Sequence, residues 1–160
     1  MDPKSAGAKV MKETIELCEI EADKGGEKFC ATFSESLIDQ SISRLGKRVQ
    51  VLSDEVKKET ETGDFTIGKE VKNVGQKEIV CHKMSYTYAV FLCHSIGKID
   101  VYTVPLVGSD GTKVKATTLC HKDTSIWNPE DLAFKVLKVK PGSIPICHFL
   151  NKETVVWIPN

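Results

Sequence analysis

The sequence predicts an α+β fold, in which two N-terminal helices are followed by an antiparallel β-rich body stapled by disulfides. Apolar residues recur at helical spacing over the first 45 residues, which favours helices there. From Arg48 onward the apolar runs follow a period of two and are rich in β-branched and aromatic residues, which indicates strands. Six cysteines are enough for three disulfides. All 160 residues are predicted to form a single domain.

The first helix is predicted over residues 6–19. Its apolar side chains fall near i, i+4 and i+7 spacing, with Lys and Glu on the opposite face. The helix ends before Gly25 and Gly26, after which the chain returns at Cys30. Cys30 is then close enough to Cys18 for a local disulfide that closes a short loop.

The second helix is predicted over residues 35–45, with Ser34 as its N-cap and Gly46 at the C′ position. Beyond it, residues 53–64 carry so many charges that they are predicted to be a solvated linker or an exposed ribbon. This interpretation is preferred to an interaction tail, because charged runs are usually solvated.

The remainder of the chain is predicted to be strands separated by turn signals such as Gly97, the 109–111 segment and Pro145. A single helical turn beginning at residues 128–131 would interrupt the strands. The predicted strands are residues 48–52, 65–67, 78–84, 89–94, 99–106, 113–120, 134–139, 146–150 and 155–158.

Composition excludes several classes of function. Lys+Arg and Asp+Glu are both 22, so the net charge is zero and no basic field attracts a nucleic acid. The longest apolar runs are much shorter than a membrane span. No signal peptide is visible, although six cysteines in a globular chain favour an oxidising compartment. We expect a secretory leader outside this chain; a cytosolic protein with six reduced cysteines is the alternative.

One dipeptide, Cys-His, dominates the chemistry of the sequence. Each of the four histidines directly follows a cysteine, and 10, 25 and 25 residues separate successive pairs. The pairs are Cys81-His82, Cys93-His94, Cys120-His121 and Cys147-His148. All of them fall in predicted strands, where successive side chains point to opposite faces of the sheet. Each cysteine is therefore separated from its histidine by the sheet itself.

A disulfide between two such strands would fix their register and bring two histidines together on the other face. On a hairpin turning near Thr87, Cys81 and Cys93 would lie directly opposite each other. His82 and His94 would then be diagonal neighbours, with Cβ atoms about 7–8 Å apart, a separation at which both rings can bind one metal. Cys120 and Cys147 also remain available as partners, since four cysteines permit three pairings.

The residue types favour copper. The spacing of the cysteines does not match a thiolate zinc site, and adjacent Cys and His on a strand point apart. Imidazole nitrogens with nearby oxygens suit Cu(II), with zinc as the second choice. Asp123 and Asp131 are the nearest carboxylates, although each is better explained as a turn or capping residue. Trp127 and Trp157 are better explained as core or rim residues than as radical relays.

The pattern CH-x10-CH-x25-CH-x25-CH resembles the signature of the plant BURP domain, and the resemblance extends from about residue 5 to residue 159. Further matching stretches are residues 11–18, 27–32, 80–94, 104–112, 120–129, 133–142 and 145–150. The resemblance implies a plant protein that is secreted, in the cell wall or in the endomembrane lumen.

The resemblance also implies an activity, namely copper-dependent oxidative peptide macrocyclisation. Family cyclases use dioxygen to join a Tyr or Trp side chain of a core peptide to another residue. By resemblance, the catalytic copper ligands, for up to two Cu(II) ions, would be His82, His94, His121 and His148. The corresponding cystine residues would be Cys81, Cys93, Cys120 and Cys147. Other members resemble non-catalytic cell-wall or stress-associated proteins, and this is the alternative function.

This chain departs from the family pattern at two positions. Asp131 and Thr154 stand where many members carry a histidine. Compared with typical members, the chain is also predicted to start late, so that the first part of the domain and the leader lie outside it. No Tyr or Trp precedes Tyr86. The peptide substrate is therefore expected in trans or in a missing precursor segment.

Overall fold

The computed structural model describes residues 4–22, 26–53, 64–95 and 97–160. These residues form a β-rich structure with three short helices and three disulfides. The helices are α1 (Ala6–Glu19), α2 (Ser34–Leu45) and α3 (Leu132–Leu137). The strands are β1 (Glu27–Ala31), β2 (Val49–Leu52), β3 (Phe65–Ile67), β4 (Lys72–Gly75), β5 (Ile79–Lys83), β6 (Phe91–Ser95), β7 (Ile99–Gly108), β8 (Lys113–His121), β9 (Ile146–Phe149) and β10 (Thr154–Pro159).

The predicted fold class, two N-terminal helices followed by a β-rich body, is wrong. Strand β1 lies between α1 and α2 and pairs with β6, so the sheet begins before the second helix. Helix α3 lies between β8 and β9; it includes the end of the helical turn predicted to begin at residues 128–131 and continues into residues predicted to be a strand. A five-residue strand such as β1 shows little period-two pattern of its own, and its pairing with β6 decides its conformation.

Residues 134–139 were predicted to be a strand, but most of them belong to α3. The turn before it is built by Asn128, whose backbone and side-chain oxygens accept hydrogen bonds from the amides of Asp131 and Glu130 at 3.0 and 2.9 Å. Asp131 then has a non-helical ψ of 139° as the N-cap, and the helical residues begin at Leu132. In α3 only Phe134 is buried, whereas a strand would place Phe134 and Val136 on the same face.

The predicted boundary of α2 needs a smaller correction. Its N-cap is Phe33, which provides no side-chain hydrogen bond, and Ser34 is already the first helical residue. At the other end, Gly46 has φ of 94°, a conformation that glycine adopts without a Cβ penalty. Most of the predicted 53–64 linker lies outside the described residues.

The chain forms two compact units. The first consists of Met1–Leu52, Lys77–Gly97 and Glu153–Asn160, and the second of Ser53–Gln76 and Lys98–Lys152. The first unit contains a five-stranded sheet in the order β1-β6-β5-β10-β2. The second unit contains a sheet in the order β3-β7-β8-β9, and β4 also pairs with β7.

In the first unit, α2 covers one face of the sheet. Leu37 and Leu45 of α2 belong to the same buried cluster as Ile79 of β5 and Trp157 of β10. The guanidinium carbon of Arg44 lies 4.2 Å from the centroid of the Phe29 ring in β1, a cation–π contact between helix and sheet. Burial of these side chains removes apolar surface from water and holds α2 on the sheet.

Helix α1 joins the same unit through a disulfide and through a hydrogen bond that the Thr14 hydroxyl donates to the backbone carbonyl of Ser85 at 3.4 Å. Ser5 caps its N-terminus by accepting a hydrogen bond from the Ala8 amide at 3.2 Å. The predicted local disulfide between Cys18 and Cys30 is confirmed and links α1 to β1. Among the described residues, no helix is long and apolar enough to cross a membrane.

Candidate metal centres

The first histidine pair lies where β5 and β6 form a hairpin. Cys81 is directly opposite Cys93, and the two form a disulfide with a Cα–Cα distance of 4.1 Å. His82 is opposite Leu92, which is two residues from His94, so the histidines are diagonal neighbours on the same face. Their rings are nearly parallel, and the two Nε2 atoms are 3.1 Å apart. The predicted register of this hairpin is confirmed.

The second pair repeats this arrangement in the other unit. Cys120 of β8 is opposite Cys147 of β9, and the two form a disulfide with a Cα–Cα distance of 4.0 Å. His121 and His148 emerge diagonally on the other face. Their Nε2 atoms are 3.3 Å apart, and the planes of the rings differ by 18°, as in the first pair. This disulfide settles the pairing that the sequence left open.

The two disulfides differ in their access to solvent. Cys81 and Cys93 are fully buried in the core cluster beneath α2. In the second unit Cys120 is half-buried and Cys147 is exposed. The histidines follow a different pattern, because His82 and His94 are both half-buried, whereas His121 is buried and His148 is exposed. The residues of the second disulfide are therefore the more exposed to solvent.

One histidine in each pair is held through its Nδ1 atom. His82 Nδ1 lies 3.0 Å from the hydroxyl of Thr154, a residue of β10 that is directly opposite His82. His148 Nδ1 lies 3.1 Å from the backbone carbonyl of Phe149 and donates to it, because a carbonyl can only accept. Metal-binding histidines commonly donate their second ring nitrogen to such partners, which orients the first nitrogen toward the metal.

The nitrogen separations fit a pair of ligands on one ion. Two imidazole nitrogens at about 2.0–2.1 Å from a metal are about 2.9 Å apart at a right angle and about 3.3 Å apart at the tetrahedral angle. The observed 3.1 and 3.3 Å fall in this range. A direct N–H···N hydrogen bond has a similar length, so the same geometry also serves the metal-free protein. The donor set is nitrogen only, which suits copper and zinc.

An aromatic contact supports the second pair. The indole of Trp127 stands edge-on to the His121 ring, with 4.8 Å between the centroids. Trp127 in turn lies 6.1 Å from the ring of Phe134 in α3. The indole of Trp127 therefore lies between His121 and helix α3. Trp157 lies in the core cluster of the first unit, as predicted.

The carboxylates considered from the sequence have other roles. Asp123 forms an ion pair with Lys98 at 2.7 Å and accepts a hydrogen bond from the Ser125 hydroxyl at 2.6 Å. The Lys98 ammonium, followed by Ser125, lowers the pKa of the Asp123 carboxyl well below its ordinary value. Asp131 is the N-cap residue of α3. Across the described ranges, no group of three or more His, Cys, Asp and Glu side chains is placed to hold a metal ion.

Sequence reasoning missed the two partners of the Nδ1 atoms. Thr154 was identified only as a departure from a family pattern, and its contact with His82 depends on β10 lying beside β5 in one register. No local signal in the sequence reveals that register. The metal and catalytic roles of the four histidines stay predictions.

Comparison with known proteins identifies a single family over nearly the whole chain. The family model described as BURP domain matches residues 1–159. The BURP domain protein RD22 of Arabidopsis thaliana is 50% identical over 157 residues, which are 96% of this chain and 40% of that protein. The rice (Oryza sativa subsp. japonica) BURP domain-containing protein 5 is 42% identical over 161 residues, covering 97% of this chain and 49% of its own length. The embryonic abundant protein USP92 of Vicia faba is 39% identical over 134 residues, which are 83% of this chain and 48% of that protein. The chain thus spans half or less of the length of these relatives.

Proposed function

Since this chain belongs to the BURP domain family of plant proteins, we propose that it is a copper-dependent oxidative peptide macrocyclase. Its copper would be held by His82 with His94 and by His121 with His148. The observation that carries the proposal is the repeated geometry of the two pairs, with Nε2 atoms 3.1 and 3.3 Å apart on the reverse face of a cystine-linked strand pair.

The ligand set supports a redox-active metal. Two imidazoles leave the remaining coordination positions of a copper ion open to solvent, dioxygen or a peptide. Bound copper would supply one-electron chemistry with dioxygen. Joining a Tyr or Trp side chain to another residue removes two hydrogen atoms from the peptide. Dioxygen would accept the two electrons and two protons.

The chain's own residues would bind the copper and orient the histidine rings that hold it. The disulfides fix the strand registers, so that each pair of Nε2 atoms is placed before a metal arrives. Thr154 and the Phe149 carbonyl hold one ring of each pair through its Nδ1 atom. The exposed position of His148 would give a peptide access to the second pair.

The substrate would be a core peptide containing Tyr or Trp. It would be supplied in trans or by another segment of a longer protein, consistent with relatives that are at least twice as long as this chain. Three disulfides are typical of proteins in an oxidising compartment. We accordingly place the protein outside the cell or in the endomembrane lumen.

The test begins with metal content. The oxidised protein is reconstituted with Cu(II), passed through a desalting column and analysed for copper by mass spectrometry. It is then incubated under oxygen with a candidate Tyr- or Trp-containing peptide. A loss of about 2 Da from the peptide is expected, because oxidative coupling removes two hydrogens. The control is the same incubation without oxygen. A protein that retains no copper would refute the proposal.

A second candidate function is a non-catalytic, disulfide-stapled secreted protein that binds copper. It is favoured by the two-histidine sites, since among the described residues no third His, Cys, Asp or Glu side chain joins either pair. It is also favoured by Asp131 and Thr154, which stand where the family resemblance expects histidines. Retained copper with an unchanged peptide mass under oxygen would support this candidate over the cyclase.

A further inference from the structure

Thr154 connects the first histidine pair to a third strand. Its hydroxyl oxygen lies 3.0 Å from His82 Nδ1, and His82 Nε2 lies 3.1 Å from His94 Nε2. The three side chains come from the neighbouring strands β10, β5 and β6, in that order across the sheet. Thr154 is only 2% exposed. A buried hydroxyl aimed at a ring nitrogen is a partner that the ring cannot readily exchange for water.

The two pairs differ in what their Nδ1 partners allow. The Phe149 carbonyl can only accept, so it fixes the proton of His148 on Nδ1 and leaves the lone pair on Nε2. A hydroxyl can donate or accept, so the tautomer of His82 depends on whether the Thr154 hydroxyl donates to Nδ1 or accepts from it. If Thr154 accepts from Nδ1–H, the lone pair of His82 lies on Nε2, facing His94. If Thr154 donates, that lone pair is on Nδ1 and faces away from His94.

We propose that Thr154 is the positioning residue of the first pair, and that its hydroxyl accepts the Nδ1 proton of His82 and so directs the Nε2 lone pair toward His94. The tautomer of His82 is defined in the metal-free protein, so this part of the assignment does not depend on metal binding. Only the expected effect on metal affinity rests on the proposed function. Thr154 suits this role, since a β-branched side chain has restricted χ1 rotamers.

Two substitutions separate the hydroxyl from the shape of the side chain. Thr154→Val keeps the branched shape and removes the hydroxyl, whereas Thr154→Ser keeps the hydroxyl and removes the methyl group. Thr118→Val is a matched control, because Thr118 is also buried on a strand and its hydroxyl has no hydrogen-bond partner within the described structure. A role of Thr154 in packing alone would make the valine variant resemble the wild type.

The first readout is the tautomer of His82 in metal-free protein with ¹⁵N-labelled histidine, followed by long-range ¹H–¹⁵N correlation spectra. We expect the proton on Nδ1 in the wild type, in Thr154→Ser and in Thr118→Val. In Thr154→Val we expect a mixture of both tautomers. A His82 ring that keeps the Nδ1 proton in Thr154→Val would overturn the assignment.

The second readout is metal affinity, measured with Zn(II) and Cu(II) alone in a His148→Ala background that removes the second pair. Loss of such an outer partner typically lowers metal affinity about 10–100-fold, and this loss is expected for Thr154→Val but not for Thr154→Ser. An affinity unchanged in Thr154→Val would also overturn the assignment. A changed tautomer in a protein that binds neither metal would support the positioning role and refute the proposed function instead.

Discussion

The imidazoles of His82 and His94 can be removed without touching the disulfide that places them. Each points away from the core cluster that contains Cys81 and Cys93, so alanine at both positions leaves the cystine and its packing intact. Both rings are half-buried, and their loss should cost about 1 kcal/mol each, which is the typical effect of a single substitution. The strands should keep their register, since the cystine fixes it.

We therefore predict that His82→Ala combined with His94→Ala removes one copper ion per chain and leaves the fold intact. Copper content by mass spectrometry and the far-ultraviolet circular dichroism spectrum measure the two effects. The combination of His121→Ala and His148→Ala is the matched control and should remove the other ion. Unfolding of the first variant would show that the imidazoles are structural rather than ligands.

The first histidine pair shows how much of the site follows from the local sequence pattern. The placement of His82 and His94 could be predicted, because it needs only the period of a strand and a turn centred near Thr87. The contact with Thr154 could not, because 72 residues separate the two positions in the chain. It exists only once β10 has paired with β5, and nothing within β10 specifies that neighbour.

At the scale of elements, α3 and the predicted strand over residues 134–139 lead to different expectations for neighbouring side chains. In a strand, Phe134 and Val136 would share a face and be buried together. In the helix, Phe134 is 3% exposed and Val136 is 67% exposed. The sequence misled here because FKVLKV contains one aromatic and two β-branched residues, a composition typical of strands. The Asn128 turn and the ring of Trp127 favour the helix instead.

We predict that Phe134→Ala lowers the free energy of unfolding by about 3–5 kcal/mol, because it opens a cavity beside Trp127. Val136→Ala should change the free energy by less than about 0.5 kcal/mol, as expected for an exposed site. Urea titration followed by circular dichroism measures both variants. Equal losses in the two variants would contradict the helix and favour the strand.

The two cystine-linked strand pairs differ as elements. Strands β5 and β6 lie inside their sheet, whereas β9 is the edge strand of its sheet. Cys147 on β9 is exposed, and the Cys81–Cys93 bond is buried. Thiol–disulfide exchange requires a thiolate to reach a sulfur atom, so access should control the order of reduction.

We predict that a dithiol reductant opens Cys120–Cys147 before Cys81–Cys93 in the native protein. The measurement is a dithiothreitol titration, quenched with N-ethylmaleimide and analysed by peptide mass mapping. In guanidinium chloride, where burial is lost, the two bonds should be reduced over the same range of dithiothreitol concentration. Labelling of Cys81 and Cys93 at or below the concentration that labels Cys120 in the native protein would show that burial does not protect the first bond.

At the scale of the whole molecule, stability depends on the oxidation state. The disulfides join residues 12, 12 and 27 positions apart. Loop-closure entropy assigns about 3 kcal/mol to each of the two shorter loops and slightly more to the longer one, or about 9 kcal/mol together. This is comparable to the entire free energy of unfolding of a typical domain, about 5–15 kcal/mol.

We predict that the fully reduced chain is largely unfolded near physiological temperature, although its composition is that of a globular protein. The three bonds act on the unfolded state, whose freedom they restrict, so their loss favours unfolding even where no native contact changes. To measure the effect, the protein is reduced and all of its thiols are blocked. Its thermal unfolding is then recorded by circular dichroism and compared with that of the oxidised protein. The control is oxidised protein treated with the blocking reagent alone. An unchanged melting temperature with six blocked cysteines would show that the core is sufficient, and would remove the physical reason for an oxidising compartment.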